Sequence, residues 1–326
     1  MIITGITYQC NFNCLFCLDS LNKTSSQPTL SEIKTSFKKI AKKGEDTIMF
    51  MKGESFLRPD IFEILKMAKE FNFKIKITTN GSMLSNDNFL KKVLDCDVKQ
   101  LNFSIHSHIP KIANALSRNP LCYASQKKAL VNINRYSRSQ KEAKKIKIFL
   151  NIVVNKLNYS HLNHLIVYIK DILSDSNFRI KFKFMLYNEG DPTTYKKLLP
   201  SFREIKPYLL KSIHELDSIK TVDTFTLSGF PLCILPKYEW TSIELQEFLI
   251  HKNLFIEKES FLKLGKSLKE NYNYYDECRI CSLYKFCPGI PKGYFLVYPK
   301  FDLTVSKRKK FEIIRKMKGL PFFHNT

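Results

Sequence analysis

Short apolar runs rich in β-branched residues recur through the first two-thirds of the chain, at residues 2–8, 46–51, 74–79, 98–105, 146–154 and 180–185. Such runs, bounded by polar and turn residues, predict buried parallel strands. Between them the apolar positions recur at helical period. "TLSEIKTSFKKIAKK" opens with Thr29 and Glu32 in capping-box spacing. "RPDIFEILKMAKEF" carries Pro59 at a first turn, and "SHLNHLIVYIKDIL" starts at Ser160. Six strand–helix repeats over residues 1–215 predict an α/β fold, a partial (β/α)6 TIM-like barrel with its chemistry at the carboxyl ends of the strands. Beyond residue 215 the pattern changes. A strand-like "TVDTFTL", then "GFPLCILP", a polar helical stretch and "CRICSLYKFCPG" predict a small cysteine-bearing C-terminal domain over 216–300, followed by a basic tail, 301–326.

Composition narrows the class. At 326 residues, with 44% hydrophobic and 13% aromatic residues, the chain has material for a sizeable core. No apolar run reaches membrane-spanning length, so no membrane association is expected. The first residues lack an export signal, which predicts a cytoplasmic, reducing setting where nine cysteines need a purpose other than disulfides. The net charge of +23 invites a nucleic-acid reading, but only nine of the 53 basic residues are Arg, and the lysines are spread along the whole chain. A solvated basic surface is the expected meaning, with nucleic acid an unfavoured partner. The densest stretch, "KRKKFEIIRKMK" (307–318), reads as a basic amphipathic helix able to fold back onto the body.

The candidate chemistry begins directly after the first strand, in "YQCNFNCLFC", where Cys10, Cys14 and Cys17 are spaced x3 then x2. A thioredoxin-type pair leaves Cys10 without a role, and structural zinc lacks a well-placed fourth ligand. Three thiolates on one short loop suit three irons of a 4Fe–4S cluster, with the fourth iron open to chelate a small molecule. "CNFNCLFC" resembles the CxxxCxxC signature of radical S-adenosylmethionine (radical SAM) enzymes. That resemblance implies that the open iron binds the amino and carboxylate groups of SAM. It also implies an electron donor such as flavodoxin or ferredoxin, and a 5′-deoxyadenosyl radical that takes a hydrogen atom from the substrate.

Further matches follow in order. "MKGESFLRPD" resembles the family's Gly-Gly-Glu-Pro segment, which implies that Gly53 and Glu54 hold the methionyl ammonium; Lys52 and Ser55 depart from the pattern. "TTNGSML" places Thr79 and Asn80 beside the cofactor by the same resemblance. In "LNFSIH", strand alternation puts Asn102, Ser104 and His106 on one face. Ser104 is expected near the SAM ribose or carboxylate, and His106 as a ribose contact or a satisfied buried histidine. Asn151 and Asn155 share a face of the fifth strand, and Arg118 sits where relatives carry an arginine near the SAM carboxylate.

Cys278, Cys281 and Cys287 resemble the cysteine-rich part of twitch and SPASM extensions, with Cys233 as upstream partner. Four thiolates suffice for a second, auxiliary 4Fe–4S cluster; a zinc knuckle is the alternative. The absence of a cysteine after "CPGIPKGYF" implies one auxiliary cluster, a twitch-like arrangement. Cys96 and Cys122 are left over, the first expected to be structural and the second a small buried hydrophobe or a hydrogen-atom donor. Extensions of this kind imply a peptide or protein substrate. A small-molecule reaction on a sugar or nucleotide is the alternative, and an RNA-binding or RNA-modifying protein is the alternative from another class.

Overall fold

The computed structural model describes residues 1–19, 26–139, 146–187, 191–217, 225–247, 271–308 and 312–313. Seven strands form one sheet in chain order, β1 (Ile2–Thr4), β2 (Thr47–Phe50), β3 (Lys74–Thr79), β4 (Gln100–Ser104), β5 (Lys147–Val154), β6 (Phe178–Phe184) and β7 (Phe225–Ser228). Neighbours from β1 to β5, and β6 with β7, run parallel. The fold is therefore α/β and of the partial TIM-like barrel kind. It carries seven strands where the periodicity marked six, because the end of "TVDTFTL" pairs with β6; residues 221–224 of that stretch lie outside the described residues.

The chain divides into two compact units, residues 1–152 with 167–179, and residues 153–166 with 180–326. In the first unit the strands alternate between a buried apolar face and a polar one. Ile75, Ile77, Leu101, Phe103, Ile148 and Leu150 are sealed. They share this core with Ile64, Leu65, Leu90, Val93, Leu130 and Ile133 from the helices α2 (Ile61–Glu70), α3 (Asp87–Asp95) and α5 (Cys122–Ser139). Helix α1 (Leu30–Lys42) starts as its sequence predicts: Glu32 N–H donates to Thr29 Oγ1 and Thr29 N–H to Glu32 Oε2, two otherwise orphaned amides satisfied reciprocally.

In the second unit the core is aromatic. Phe184 of β6 packs on Phe202 of α8 (Phe202–Asp217) with ring centroids 4.5 Å apart, and Tyr294 stacks on Phe202 at 4.2 Å. The Tyr294 hydroxyl accepts from Phe202 N–H and donates to Asp302, so the C-terminal segment is fastened to the head of α8. Of the basic tail, Arg308 pairs with the buried Glu239 at 3.0 Å and Ile313 is buried beside Leu232, Trp240 and Leu283, so these described positions fold back onto the body. Among the described residues no helix is long and apolar enough to cross a membrane.

Candidate active site

The cysteine loop leaves the carboxyl end of β1 and is tied down on three sides. Asn13 N–H donates to Ser117 O and Leu15 N–H to Leu116 O, both at 2.9 Å, which fixes the loop against the end of α4 (Pro110–Ser117). Glu54 N–H donates to Gln9 O at 2.7 Å, just before Cys10. Arg58, buried to 7% exposure, grips Asp60 with Nε and Nη2 and donates from Nη1 to Ile6 O and Pro28 O, on either side of the loop. Asn80 Nδ2 reaches Cys10 Sγ at 3.6 Å and Asn11 Oδ1 at 2.8 Å.

Cys10 and Cys14 pack against a small apolar cluster of Phe12, Ala113 and Cys122, and Phe16 meets His106 edge-on at 4.7 Å. Of the three aromatics in the loop sequence, Phe12 is buried in this way. Tyr8 instead accepts from Lys52 Nζ at 3.1 Å. Among the described residues no three His, Cys, Asp or Glu side chains converge on a single-ion position. The donor set, three thiols on one braced loop, fits the cluster.

The loop after β2 comes close to the chain leading into the cysteine loop. A Cβ on Gly53 (φ +53°) would lie 2.6 Å from Gln9 O and 2.9 Å from Thr7 O, so only glycine permits the approach. Lys52 holds φ +85°, a conformation that favours glycine, and its ammonium bonds the Tyr8 hydroxyl. Ser55 is fully buried, and its hydroxyl has no hydrogen-bond partner among the described residues.

Glu54 is wholly buried. Its Oε1 accepts from Thr79 Oγ1 at 2.8 Å and from Phe56 N–H at 3.3 Å, and its Oε2 accepts from Asn80 N–H at 2.6 Å. Burial pushes this carboxyl up to about 7, against the pull of those three donors. Thr79 in turn accepts from Gly81 N–H. One carboxylate thus joins the ends of β2 and β3, and Gly53, Glu54, Thr79, Asn80 and Cys10 form one bonded group.

Ser104 and Asn151 are register partners at the ends of β4 and β5, the first half-buried and the second buried. Asn102 lies two residues down the same face and is bonded by Gln100, so it belongs to the sheet's internal polar network. Asn155 does not continue the face of Asn151. It follows the end of β5, where its side chain bonds Leu157 N–H and Val153 O within a turn. Arg118 is exposed, in the left-handed position that ends α4 (φ +49°). Cys96 ends α3, half-buried.

Gln126, on α5, carries no motif. Its amide donates to Asn80 O at 3.0 Å and Ser104 O at 2.8 Å, bracing the ends of β3 and β4 from the helix side. The available signal is a glutamine on the buried stripe Cys122–Gln126–Ala129–Ile133, where an apolar residue is the norm.

In the second unit Cys233, Cys278, Cys281 and Cys287 line one small pocket, otherwise walled by residues such as Leu232, Tyr274, Leu283 and Ile290. None is in a disulfide. Burial pushes the Cys287 thiol up to about 11 and raises Cys233 further, with the charges of Cys287, Cys281 and Cys278 adding to Cys233's rise.

Comparison with known proteins accords with the first-unit geometry. The S-adenosylmethionine-dependent nucleotide dehydratase of Selenomonas ruminantium is 30% identical over 158 residues, 47% of this chain and 56% of that protein. The 7,8-dihydro-6-hydroxymethylpterin dimethyltransferase of Methanocaldococcus jannaschii is 32% identical over 101 residues, 29% of this chain and 20% of that protein. The matches thus span from a fifth to little over half of these relatives. Among solved structures, anSMEcpe with bound AdoMet and a Kp18Cys peptide superposes with a TM-score of 0.55 at 16% identity, over 99% of this chain and 96% of that one. SuiB of Streptococcus suis with its precursor peptide SuiA gives a TM-score of 0.55 at 14% identity, over 70% of this chain and 48% of that one. The Radical SAM superfamily model matches residues 4–166, half of the chain, from the end of β1 into α6 (Leu162–Ile172). That stretch holds the cysteine loop and every strand end bonded to it, and the protein belongs to the radical SAM superfamily as one of its iron–sulfur enzymes.

Proposed function

We propose that the protein is a two-cluster radical SAM enzyme that modifies a peptide or protein, with a twitch-like second iron–sulfur site over residues 216–300. The observation that carries this reading is the convergence of Cys233, Cys278, Cys281 and Cys287 on one cavity, outside the stretch matched by the family model. Four thiols complete the ligand set of a four-iron cluster. Cys10, Cys14 and Cys17 would hold a cluster whose chemistry, when bound, would be one-electron reductive cleavage of SAM at its C5′–S bond in support of hydrogen-atom abstraction from a substrate.

The chain's own residues prepare that event. Cys10, Cys14 and Cys17 would hold the cluster on a loop whose backbone is already bonded in place. Glu54, Thr79 and Gln126 fix the backbone of Asn80 and Ser104, and Ser55, Ser104 and Asn151 offer polar groups toward the cofactor. Phe12 and Phe16 limit water around the thiols. Whole-length overlap with a structure that holds a peptide supports the peptide reading. A nucleotide or other small substrate is the second reading, favoured by the nucleotide dehydratase and by GTP 3′,8-cyclases among the relatives.

The test is anaerobic reconstitution with iron counting, followed by assays on peptides encoded beside the gene and, in parallel, on nucleotides. About eight irons, falling to about four in Cys278→Ser/Cys281→Ser while 5′-deoxyadenosine still forms, is the expected result. About four irons with tightly held zinc in the wild type refutes the second cluster. A mass or stereochemical change in nucleotides alone refutes the peptide substrate.

A further inference from the structure

The first unit has a polar sheet face that the SAM-binding residues do not exhaust. Toward the amino ends of the strands, Lys76 of β3, Gln100 of β4 and Lys147 of β5 are register partners in one row, and their side chains share a face. Thr78, Asn102 and Phe149 form the row above, and Ser104 with Asn151 the row above that. A broad cleft at this end of the strands is lined by Lys69, Lys74, Lys76, Lys99, Gln100 and Lys147, with Asp95 and Asp97 also on its wall.

These lysines differ in kind. Lys74 is paired with Asp46 at 2.6 Å and Lys99 with Asp97, both exposed pairs of the inexpensive sort. Lys76 and Lys147 have no ion pair among the described residues. Gln100 stands between them with its amide turned to Asn102 at 2.8 Å, so no acid bridges the row. Lys76 is half-buried, and desolvation together with the charge of Lys147 lowers its affinity for its proton, with Asp46 opposing. A half-buried ammonium beside a second one is unfavourable until an anion joins them. Two strand spacings, about 10 Å, separate their Cα atoms, which two long side chains span to meet on one group.

We propose that Lys76 and Lys147 form a subsite for an oxyanion of the substrate, a carboxylate or a phosphate, about 13 Å along the strands from the row of Ser104 and Asn151. The proposal rests on the carboxyl ends being the reacting end. For an extended peptide the distance corresponds to an acidic side chain about four residues from the modified position. For a phosphorylated substrate it sets the reach from phosphate to reacting carbon.

The experiment titrates the reconstituted enzyme with tetraglutamate and with inorganic pyrophosphate by calorimetry at low salt. Three proteins are compared: the wild type, Lys76→Gln/Lys147→Gln, and Lys74→Gln/Lys99→Gln, which removes the same charge from the same cleft. The first pair of substitutions is expected to weaken binding about tenfold or more, and the second less than about twofold. Lys147→Gln alone, at an exposed position, is expected to weaken it about threefold and serves if the double variant fails to fold. Binding of tetraglutamate with this pattern supports an acidic peptide as source. Binding of pyrophosphate alone with this pattern supports the subsite while removing the peptide reading; the second cluster, which the iron count tests, stands or falls separately. Equal losses in the two double variants, or no saturable binding of either probe, overturn the proposal.

Discussion

Glu54 offers the sharpest test of the site, because its structural role and its charge pull in opposite directions. Its carboxyl is raised from 4.5 to about 7 by burial. A carboxyl with a higher value in the folded than in the unfolded chain contributes stability that is full below about 4.5 and is lost as pH rises through about 7. The difference corresponds to about 3 kcal/mol. Glu54→Gln removes the titration. Its amide keeps an oxygen for Thr79 and Phe56 but turns an NH₂ toward Asn80 N–H, a mismatch of about 1–3 kcal/mol. The variant is therefore expected to be less stable than the wild type at pH 5. By pH 8 it recovers about 3 kcal/mol relative to it and becomes level or better. Urea unfolding of both cluster-free proteins between pH 5 and 8 measures the gap. A gap that stays flat across that range refutes the raised carboxyl and the reasoning built on it.

Three further outcomes are expected. Gly81→Ala forces a Cβ to 2.1 Å from the Phe103 ring at φ +81°, and a loss of about 2–4 kcal/mol in urea unfolding is expected; a loss under about 1 kcal/mol contradicts the close contact. Gln126→Leu strips the carbonyls of Asn80 and Ser104 of a donor, so it lowers stability by about 1–3 kcal/mol and raises the KM for SAM more than it lowers kcat; an unchanged KM removes the bracing role. Single Ala replacements of Cys10, Cys14 or Cys17 abolish 5′-deoxyadenosine formation under strong reductant while the fold persists. Residual formation near the wild-type rate in any of them rules that cysteine out as a ligand.

Strand β3 was legible to the residue, since Lys74–Thr79 alternates sealed isoleucines with polar neighbours and ends on a turn-forming Asn80–Gly81. The place of the cysteine loop was legible too, because it follows the first apolar run directly. The bracing by Glu54 was not: a carboxylate reads as a partner for a bound cation, and the fold adds that its two oxygens also accept from Thr79 and Asn80 at the end of β3. Strand β7 was read as the start of the C-terminal segment because Phe225, Leu227 and their polar neighbours announce a half-buried strand without saying which sheet takes it. Asn155 shared the parity of Asn151, but its side chain bonds its own local backbone and bends the chain away, a competition that alternation cannot detect. Arg58 went unread because its partners, Ile6 O and Pro28 O, are backbone atoms far off in sequence.

That arginine bears on how the cysteine segment is held. By holding Ile6 and Pro28 to one guanidinium, it closes the segment that carries all three N-terminal cysteines through protein atoms alone. Joining the ends of a free loop of about 22 residues costs about 3 kcal/mol of chain entropy, which the fold has already supplied. The anchoring of the cysteine segment is thus drawn from a residue outside it and does not depend on the thiols themselves.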